Sequence, residues 1–506
     1  MSTLPARVLA VAGRTPTASA IVEDGRRATY ADLASQATAF AAALRGSGLA
    51  AGDRVAILLP NRIEAAVAVY GTWLAGGVAV PLNVQARARD FVPWLEHCAA
   101  THMVIEEGHA DASEAIVALS RAPTCFPVAA GAPIMSQAAA AGEVEAAARA
   151  ASAIDPAAPA LLLYTSGTTG APKGVTLSHA NLSANVASVV AYLDLDATDS
   201  ILSVLPFYYA YGASVLHTHL ASGACIHLAE NMLFPHLLLR RMAEQRITGF
   251  SGVPSTFALL LGRSNPREHD LSRLRYITQA GGAMPPALAQ RLREAIPGPR
   301  LFIMYGQTEA TARLTWLPPQ HLEQKPGSVG IPVDGVRIRI VREDGSDAAP
   351  DEDGEVCARG PNIMLGYWGA PEATAKVLRD GWLHTGDMGH LDGDGFLHLC
   401  GRRSDMIKTG AHRIFPGDIE EVIAGAPGVA EVAVVGADDE ILGQVVKAFV
   451  VPGVAPPRSA EAIRAHCRAR LAPYKIPKYV EFVDALPHTA SGKVRRAALS
   501  EQRNAR

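Results

Sequence analysis

Residues 161–179 read LLLYTSGTTGAPKGVTLSH. An apolar run ends at Tyr164, and behind it stand residues that no core would choose: Thr165, Ser166, Gly167, Thr168, Thr169, Gly170 and Lys173. Glycines free the backbone so that successive N–H groups turn inward. The hydroxyls add donors, and Lys173 adds one positive charge. Such a loop directly behind a strand is built to hold phosphate oxygens. It is not a Walker A loop, because Pro172 stands where the second glycine would fall and Gly174 follows Lys173 where Ser or Thr would. Glu309 closes YGQTE (305–309) behind the strand pattern RLFIMYG. A carboxylate there suits a hard cation that takes oxygen ligands and bridges phosphates, although a lone carboxylate at a helix start is also an ordinary dipole partner. In QAGGAMP (279–285), Gly282 and Ala283 leave room for a flat base against backbone, and Pro285 suits a helix start. Asp387 lies between glycines in TGDMG, where aspartate is commonly a turn residue. Lys493 lies in a basic tail, where lysine is ordinarily solvated.

These residues need a scaffold. A chain of 506 residues is too long for one core. With 49% hydrophobic and 19% charged residues it is globular. A net charge of −3 argues against a nucleic-acid partner. Residues 401–506 carry 16 Lys+Arg against 12 Asp+Glu, leaving 30 against 37 elsewhere, so a mildly basic module faces an acidic one. Six scattered cysteines show no zinc spacing and read as reduced, mostly buried thiols. The N-terminus has no secretory pattern. The uncharged run Ala65–Ala86 has the length of a membrane span, but Gly71, Gly76, Gly77 and Pro81 divide it into a helix, a turn and a strand. Strands such as DRVAILLP, GVAVPL, SILSVLPF, ITGFSGVP and RLFIMYG alternate with helical patterns such as RIEAAVAVYGTWLAGG and PPALAQRLREAI. That is the βα rhythm of an α/β fold with parallel-rich sheets. From about Gly327 short alternating strands form a β-rich subdomain, and past Gly401 a compact α+β module follows.

YTSGTTGAPKG resembles the phosphate loop of the adenylate-forming superfamily, which contains acyl-CoA synthetases, nonribosomal peptide adenylation domains and luciferases. YGQTEA, GEVCARGPNIMLGYW, GWLHTGDMG, GRRSDMIKTGAHRIFPGDIEE and PHTASGKVRR follow in the superfamily's order. The resemblance implies an AMP-binding domain over residues 1–401 with the acyl and ATP sites, and a small mobile domain over 402–506. It implies activation of a carboxylic acid as an acyl-adenylate, with AMP and pyrophosphate formed, followed by thioester formation with CoA. ATP, Mg²⁺ and CoA are the implied co-substrates and cofactor. Lys493 is implied as the main catalyst of adenylation, bridging the substrate carboxylate and the α-phosphate, with Thr308, Glu309 and Lys173 beside it. Glu309 is the implied metal ligand. The nucleotide is implied to meet the loop, Gly282, Ala283, Tyr305 near the adenine, Gly306, Gln307, Thr308, Asp387 at the ribose hydroxyls, and Arg402. Asp405 falls at the implied hinge, and Gly410 and Ala411 at the thiol tunnel.

Two positions depart from the pattern. Tyr209 in LPFYYAYGAS stands where many acyl-CoA synthetases have histidine, and Ala411 stands where glycine commonly lines the tunnel. The acid pocket is expected at Tyr209, Ala210, Tyr211, Gly212 and Gly281. Neither Ala210 nor Gly212 can pair with an α-ammonium, which argues against an α-amino acid. The tyrosines suit an aryl or aliphatic acid. An acyl carrier protein's phosphopantetheine presents the same thiol as CoA and is the alternative acceptor. A nucleotide-binding regulator without catalysis is the alternative of another class. The expected location is cytoplasmic, with no membrane span.

Overall fold

The computed structural model describes residues 2–23, 25–165, 173–229, 232–409, 412–439, 442–453, 459–488 and 494–501. Among the described residues one sheet has seven strands, in spatial order Gly366–Tyr367, Lys173–Ser178, Pro159–Thr165, Val78–Pro81, Arg54–Leu58, His102–Glu106 and Thr124–Val128. The last five run parallel. The first two are antiparallel additions at the end that carries the glycine-rich loop.

The second sheet has fourteen strands among the described residues. Its parallel centre contains Ser200–Ser203, Cys225–Leu228, Gly249–Gly252, Tyr276–Gln279 and Arg300–Tyr305. It turns antiparallel through Thr315–Leu317 and Ser328–Pro332, then continues into Arg337–Val341, Gly354–Arg359, Trp382–Leu391 and Leu397–Arg402. Strands covered on both faces need continuous apolar sequence, whereas half-covered ones alternate. LFIMY in Arg300–Tyr305 is buried throughout, and Trp382–Leu391 alternates buried with half-buried residues.

Helices His179–Leu193 and Ala210–Ser222 fill the space between the sheets. One apolar core joins Leu161, Leu177, Ile201 and Met304 of the sheets to Leu182, Val186 and Leu216 of those helices. The uncharged run resolves as the buried helix Ile63–Ala75, a left-handed Gly76 at φ 88° that closes it, and the strand Val78–Pro81. No described helix is long and apolar enough to cross a membrane.

The large sheet ends at Arg402, and the next strand, Ile407–Thr409, belongs to a separate sheet of five strands among the described residues. Around it pack helices Pro416–Ala424 and Ala460–Arg468, with a core of Ile407, Ile419, Ile423, Val434, Val446 and Ile463. Cys98, Cys357 and Cys467 are buried, but Cys125 is exposed because it sits on Thr124–Val128, the sheet's edge strand.

Candidate functional site

The glycine-rich loop is held by its stems. Thr165 and Lys173 are register partners across the antiparallel pair, as are Tyr164 and Gly174. The Tyr164 hydroxyl donates to the Trp94 carbonyl at 2.9 Å. Ser166, Gly167, Thr168, Thr169 and Gly170 lie outside the described residues, as do Gly410, Ala411 and Lys493. The described residues flanking Lys493's segment, His488 and Val494, form an antiparallel bridge.

Strand Arg300–Tyr305 delivers Glu309. Gly306 lets the chain fold back on itself, since a Cβ there would lie 2.2 Å from the Ala312 carbonyl oxygen. Thr308, Glu309 and Ala310 then form one 3-10 turn. The Tyr367 hydroxyl donates to Glu309 Oε1 at 2.8 Å, and Lys173 Nζ stands 5.7 Å from the Tyr367 ring centroid. Burial, reinforced by the Glu309 carboxylate, pushes the Tyr367 phenol well above its ordinary range, so it remains a donor. Carboxylate, phenol and ammonium therefore meet at the foot of the loop.

Residues 361–368 clip this arrangement together. Trp368 N donates to the Gly174 carbonyl at 2.7 Å, Leu365 N to Thr176 at 2.9 Å and Met364 N to Glu309 at 2.8 Å. Buried Asn362 donates through Nδ2 to the carbonyls of Ala310 (3.1 Å) and Arg313 (2.5 Å), and its own carbonyl accepts from Thr311 Oγ1 at 2.6 Å. One short segment thus ties the loop's return strand to the turn that carries Glu309. The sequence marked GPNIMLGYW only as part of a resemblance. Nothing in the sequence singles out Tyr367 or Asn362, because their partners lie 58 and 49 residues away in the chain.

A second network forms beside it. Tyr305 donates its hydroxyl to Asp387 Oδ2 at 2.6 Å, and Arg402 Nε stands 2.9 Å from Asp387 Oδ1. Asp387 and Arg402 are register partners on adjacent strands. The Asp387 carboxylate raises the Arg402 guanidinium further above its ordinary value. Tyr305 is buried, with its hydroxyl engaged on Asp387. Gly281, at φ +85°, takes a left-handed turn beyond strand Tyr276–Gln279, and Gly282 and Ala283 are exposed behind it. Gln279 Nε2 donates to the Gly282 carbonyl at 2.8 Å. Gln279 Oε1 and Gln307 Nε2 are buried with no partner among the described residues, one acceptor and one donor left for a ligand.

Tyr209 precedes helix Ala210–Ser222, and its ring meets Tyr208 edge-on at 4.7 Å. Burial pushes the Tyr209 phenol up to about 12. Tyr211 points its hydroxyl at Thr278, 2.8 Å from Oγ1. Gly212 is required by close approach, because a Cβ would stand 2.0 Å from the Pro206 carbonyl oxygen. Ala210 and Thr311 border a small cavity of about 10 Å³, room for one water-sized sphere, shared with Leu163, Leu182, Asn185 and His217. Asp405 ends the turn Arg403–Asp405, where Ser404 Oγ donates to its Oδ1 at 3.0 Å and Arg496 Nη1 stands 3.5 Å from Oδ2. Arg496 also grips Glu420, at 2.7 and 2.8 Å.

A magnesium ion takes oxygen ligands, and the Glu309 carboxylate, held by Tyr367 near Lys173, supplies that chemistry. The orphaned Gln279 and Gln307 atoms suit a nucleotide.

Residues 9–368 match the model of the AMP-binding enzyme family, and residues 418–493 match that of the AMP-binding enzyme C-terminal domain. A feruloyl-CoA synthase of an Amycolatopsis species is 37% identical over 485 residues, covering 95% of this chain and 94% of that protein. An indoleacetate–CoA ligase of Aromatoleum aromaticum is 34% identical over 495 residues, covering 96% and 95%. The o-succinylbenzoate CoA synthetase of Bacillus subtilis, solved with ATP and magnesium, superposes with a TM-score of 0.85 at 31% identity, covering 98% of each chain.

Proposed function

The chain belongs to the AMP-binding enzyme family and is an AMP-forming acid–CoA ligase, and on that premise we propose how its residues divide the work. The reaction uses ATP, Mg²⁺ and CoA. A carboxylate is a poor electrophile. Its oxygen attacks the α-phosphorus of ATP, a new C–O–P link forms, the bond to the β-phosphate oxygen breaks, and pyrophosphate leaves. The CoA thiol then attacks the acyl carbon, and AMP leaves with the electron pair. The first step presses like charges together, so donors and cations fixed in advance lower its barrier.

The observation that carries the assignment is the convergence of Glu309, Tyr367 and Lys173 at the loop stem beside the Tyr305–Asp387–Arg402 network. Lys173 and the loop hydroxyls hold the phosphates. Glu309 holds Mg²⁺, with Tyr367 orienting the carboxylate. Magnesium, when bound, offsets phosphate charge. Asp387 accepts from the ribose hydroxyls and Arg402 steadies Asp387. Gly282, Ala283 and Gln307 frame the base, and Thr308 donates to the α-phosphate. Lys493 reaches the substrate carboxylate from the domain spanning 402–506, which turns about Asp405. Tyr209, Ala210, Tyr211, Gly212 and Gly281 form the acid pocket, which suits an aryl or aliphatic acid. Feruloyl and indoleacetate relatives support an aromatic one. The enzyme works in the cytoplasm.

Carboxylate-dependent ATP–pyrophosphate exchange with an acid panel tests this reading, followed by AMP release on adding CoA. No exchange with any acid overturns it. Exchange without CoA-dependent AMP release shifts the acceptor to a carrier protein.

A further inference from the structure

Asn185 lies on helix His179–Leu193 and is 1% exposed. Its Oδ1 accepts from Ser214 Oγ at 3.1 Å, and its Nδ2 is buried with no partner among the described residues. A buried donor left unmade costs free energy, so folded chains seldom keep one. Asn185 lines the small cavity bordered by Ala210 and Thr311. The hydroxyls around that cavity are spent. Thr311 Oγ1 donates to the Asn362 carbonyl at 2.6 Å, and Ser214 Oγ is engaged on Asn185 itself. His217 meets the Tyr70 hydroxyl through Nδ1 at 3.2 Å, and burial keeps its ring neutral by lowering it to about 3. The remaining walls are apolar, Leu163 among them. The cavity thus combines an unpaired donor, no charged wall, and about 10 Å³, the room of a single oxygen.

Elements of the reaction centre meet at this cavity. Ala210 opens helix Ala210–Ser222 directly behind Tyr209. Thr311 follows the turn Thr308–Ala310 that carries Glu309. Leu163 stands on strand Pro159–Thr165, which leads into the glycine-rich loop. An acid whose carboxylate is activated beside that turn and loop has its other end left to place.

We propose that Asn185 selects the acid by that far end: the substrate carries a neutral oxygen there, as a hydroxyl or an ether, which enters the cavity and accepts from Asn185 Nδ2. The inference rests on the reading of Tyr209–Gly212 as the acid pocket. Only the oxygen has to enter, and the rest of the acid stays on the Tyr209 side of Ala210. A terminal carboxylate or ammonium is disfavoured, because walls without a counter-charge cannot offset its lost hydration. A methyl group of similar size fills the space and leaves Nδ2 unpaired, so the site discriminates against it.

The test is ATP–pyrophosphate exchange with matched acids in which methyl replaces hydroxyl: hydroxyphenylpropenoic against methylphenylpropenoic acids, substituted at each ring position in turn, and straight-chain acids ending in hydroxyl against those ending in methyl. The two groups fill nearly the same space, so the ratio within a pair reads the hydrogen bond. The wild-type enzyme is expected to favour the best hydroxy acid over its partner by about 10-fold in kcat/KM. Asn185→Leu keeps the volume and removes the donor, and is expected to bring that ratio to about one through a rise in the hydroxy acid's KM. Wild-type ratios near one in every pair overturn the inference, leaving the cavity to water, and need no variant to fold. So does an Asn185→Leu enzyme that keeps the wild-type ratio, or one whose kcat/KM falls equally for both partners. No exchange with any acid of either kind removes the acid-activating reading itself, and this inference with it.

Discussion

Tyr367→Phe isolates one hydrogen bond at the centre of the site. The ring stays, and with it the aromatic face beneath Lys173. Only the 2.8 Å bond to Glu309 Oε1 is lost. A hydrogen bond to a charged group contributes about 1.5–3 kcal/mol. Both residues are half-buried, so water replaces part of the loss and about 1–2 kcal/mol remains. At 1.36 kcal/mol per factor of ten, that is a fall of about 5- to 30-fold. On the role proposed for Glu309 as metal ligand, the fall belongs to adenylation, the step in which the triphosphate and its metal are present. Pyrophosphate exchange should therefore drop by that factor in kcat/KM for ATP, with more Mg²⁺ needed for half-maximal rate. Thioester formation from supplied acyl-adenylate should change less than about twofold. An equal fall in both half-reactions, or an unshifted Mg²⁺ titration, would refute the role given to Tyr367 and the placement of metal at Glu309.

Lys493→Ala should abolish adenylate formation and leave thioester formation from supplied acyl-adenylate largely intact; equal loss in both half-reactions removes Lys493 as the adenylation catalyst. Gly212→Ala drives a Cβ to within 2.0 Å of the Pro206 carbonyl oxygen, so it should cost about 3 kcal/mol and raise the acid KM more than the ATP KM. Thermal melts and paired KM measurements check it, and an unshifted melt counts against the clash. Acid should destabilise the fold in a defined window. Burial lowers His217 to about 3, and His179, His219 and His227 to about 4, from an ordinary 6.5. Above pH 6.5 these rings are neutral whether folded or unfolded and add no slope. Below it the unfolded chain binds protons that the folded one refuses, so stability falls as pH drops from 6.5 towards 4, by up to about 1.4 kcal/mol per pH unit for each ring. Melting temperatures that stay level from pH 7.5 to 5 would contradict this.

Much was legible in the chain itself. The alternation of apolar runs with helical patterns marks the parallel centres of both sheets, because a doubly covered strand must be apolar where it is covered, as LFIMY is in Arg300–Tyr305. Glycine marks positions that only it can fill, such as Gly76 closing a buried helix at positive φ. The glycine-rich loop is visible because its chemistry is contiguous: strand, hydroxyls, glycines and lysine follow one another directly. Even the break in the uncharged run Ala65–Ala86 is a local matter of glycine and proline.

The partners were not legible. Glu309 could be named from YGQTE, but Tyr367, which orients it, comes from a strand paired beside the loop. Tyr305 suggested a base-stacking ring, and the tertiary structure spends its hydroxyl on Asp387, 82 residues away. Arginine is mostly exposed in folded proteins, and nothing in the sequence singles out Arg313. Its burial against Tyr211 exists only because Asn362 holds two left-handed residues in place from a distant segment. Local propensity and periodicity are properties of neighbours along the chain. Which donor meets which acceptor, and which charge loses its water, depends on segments that become neighbours only when the sheets pack.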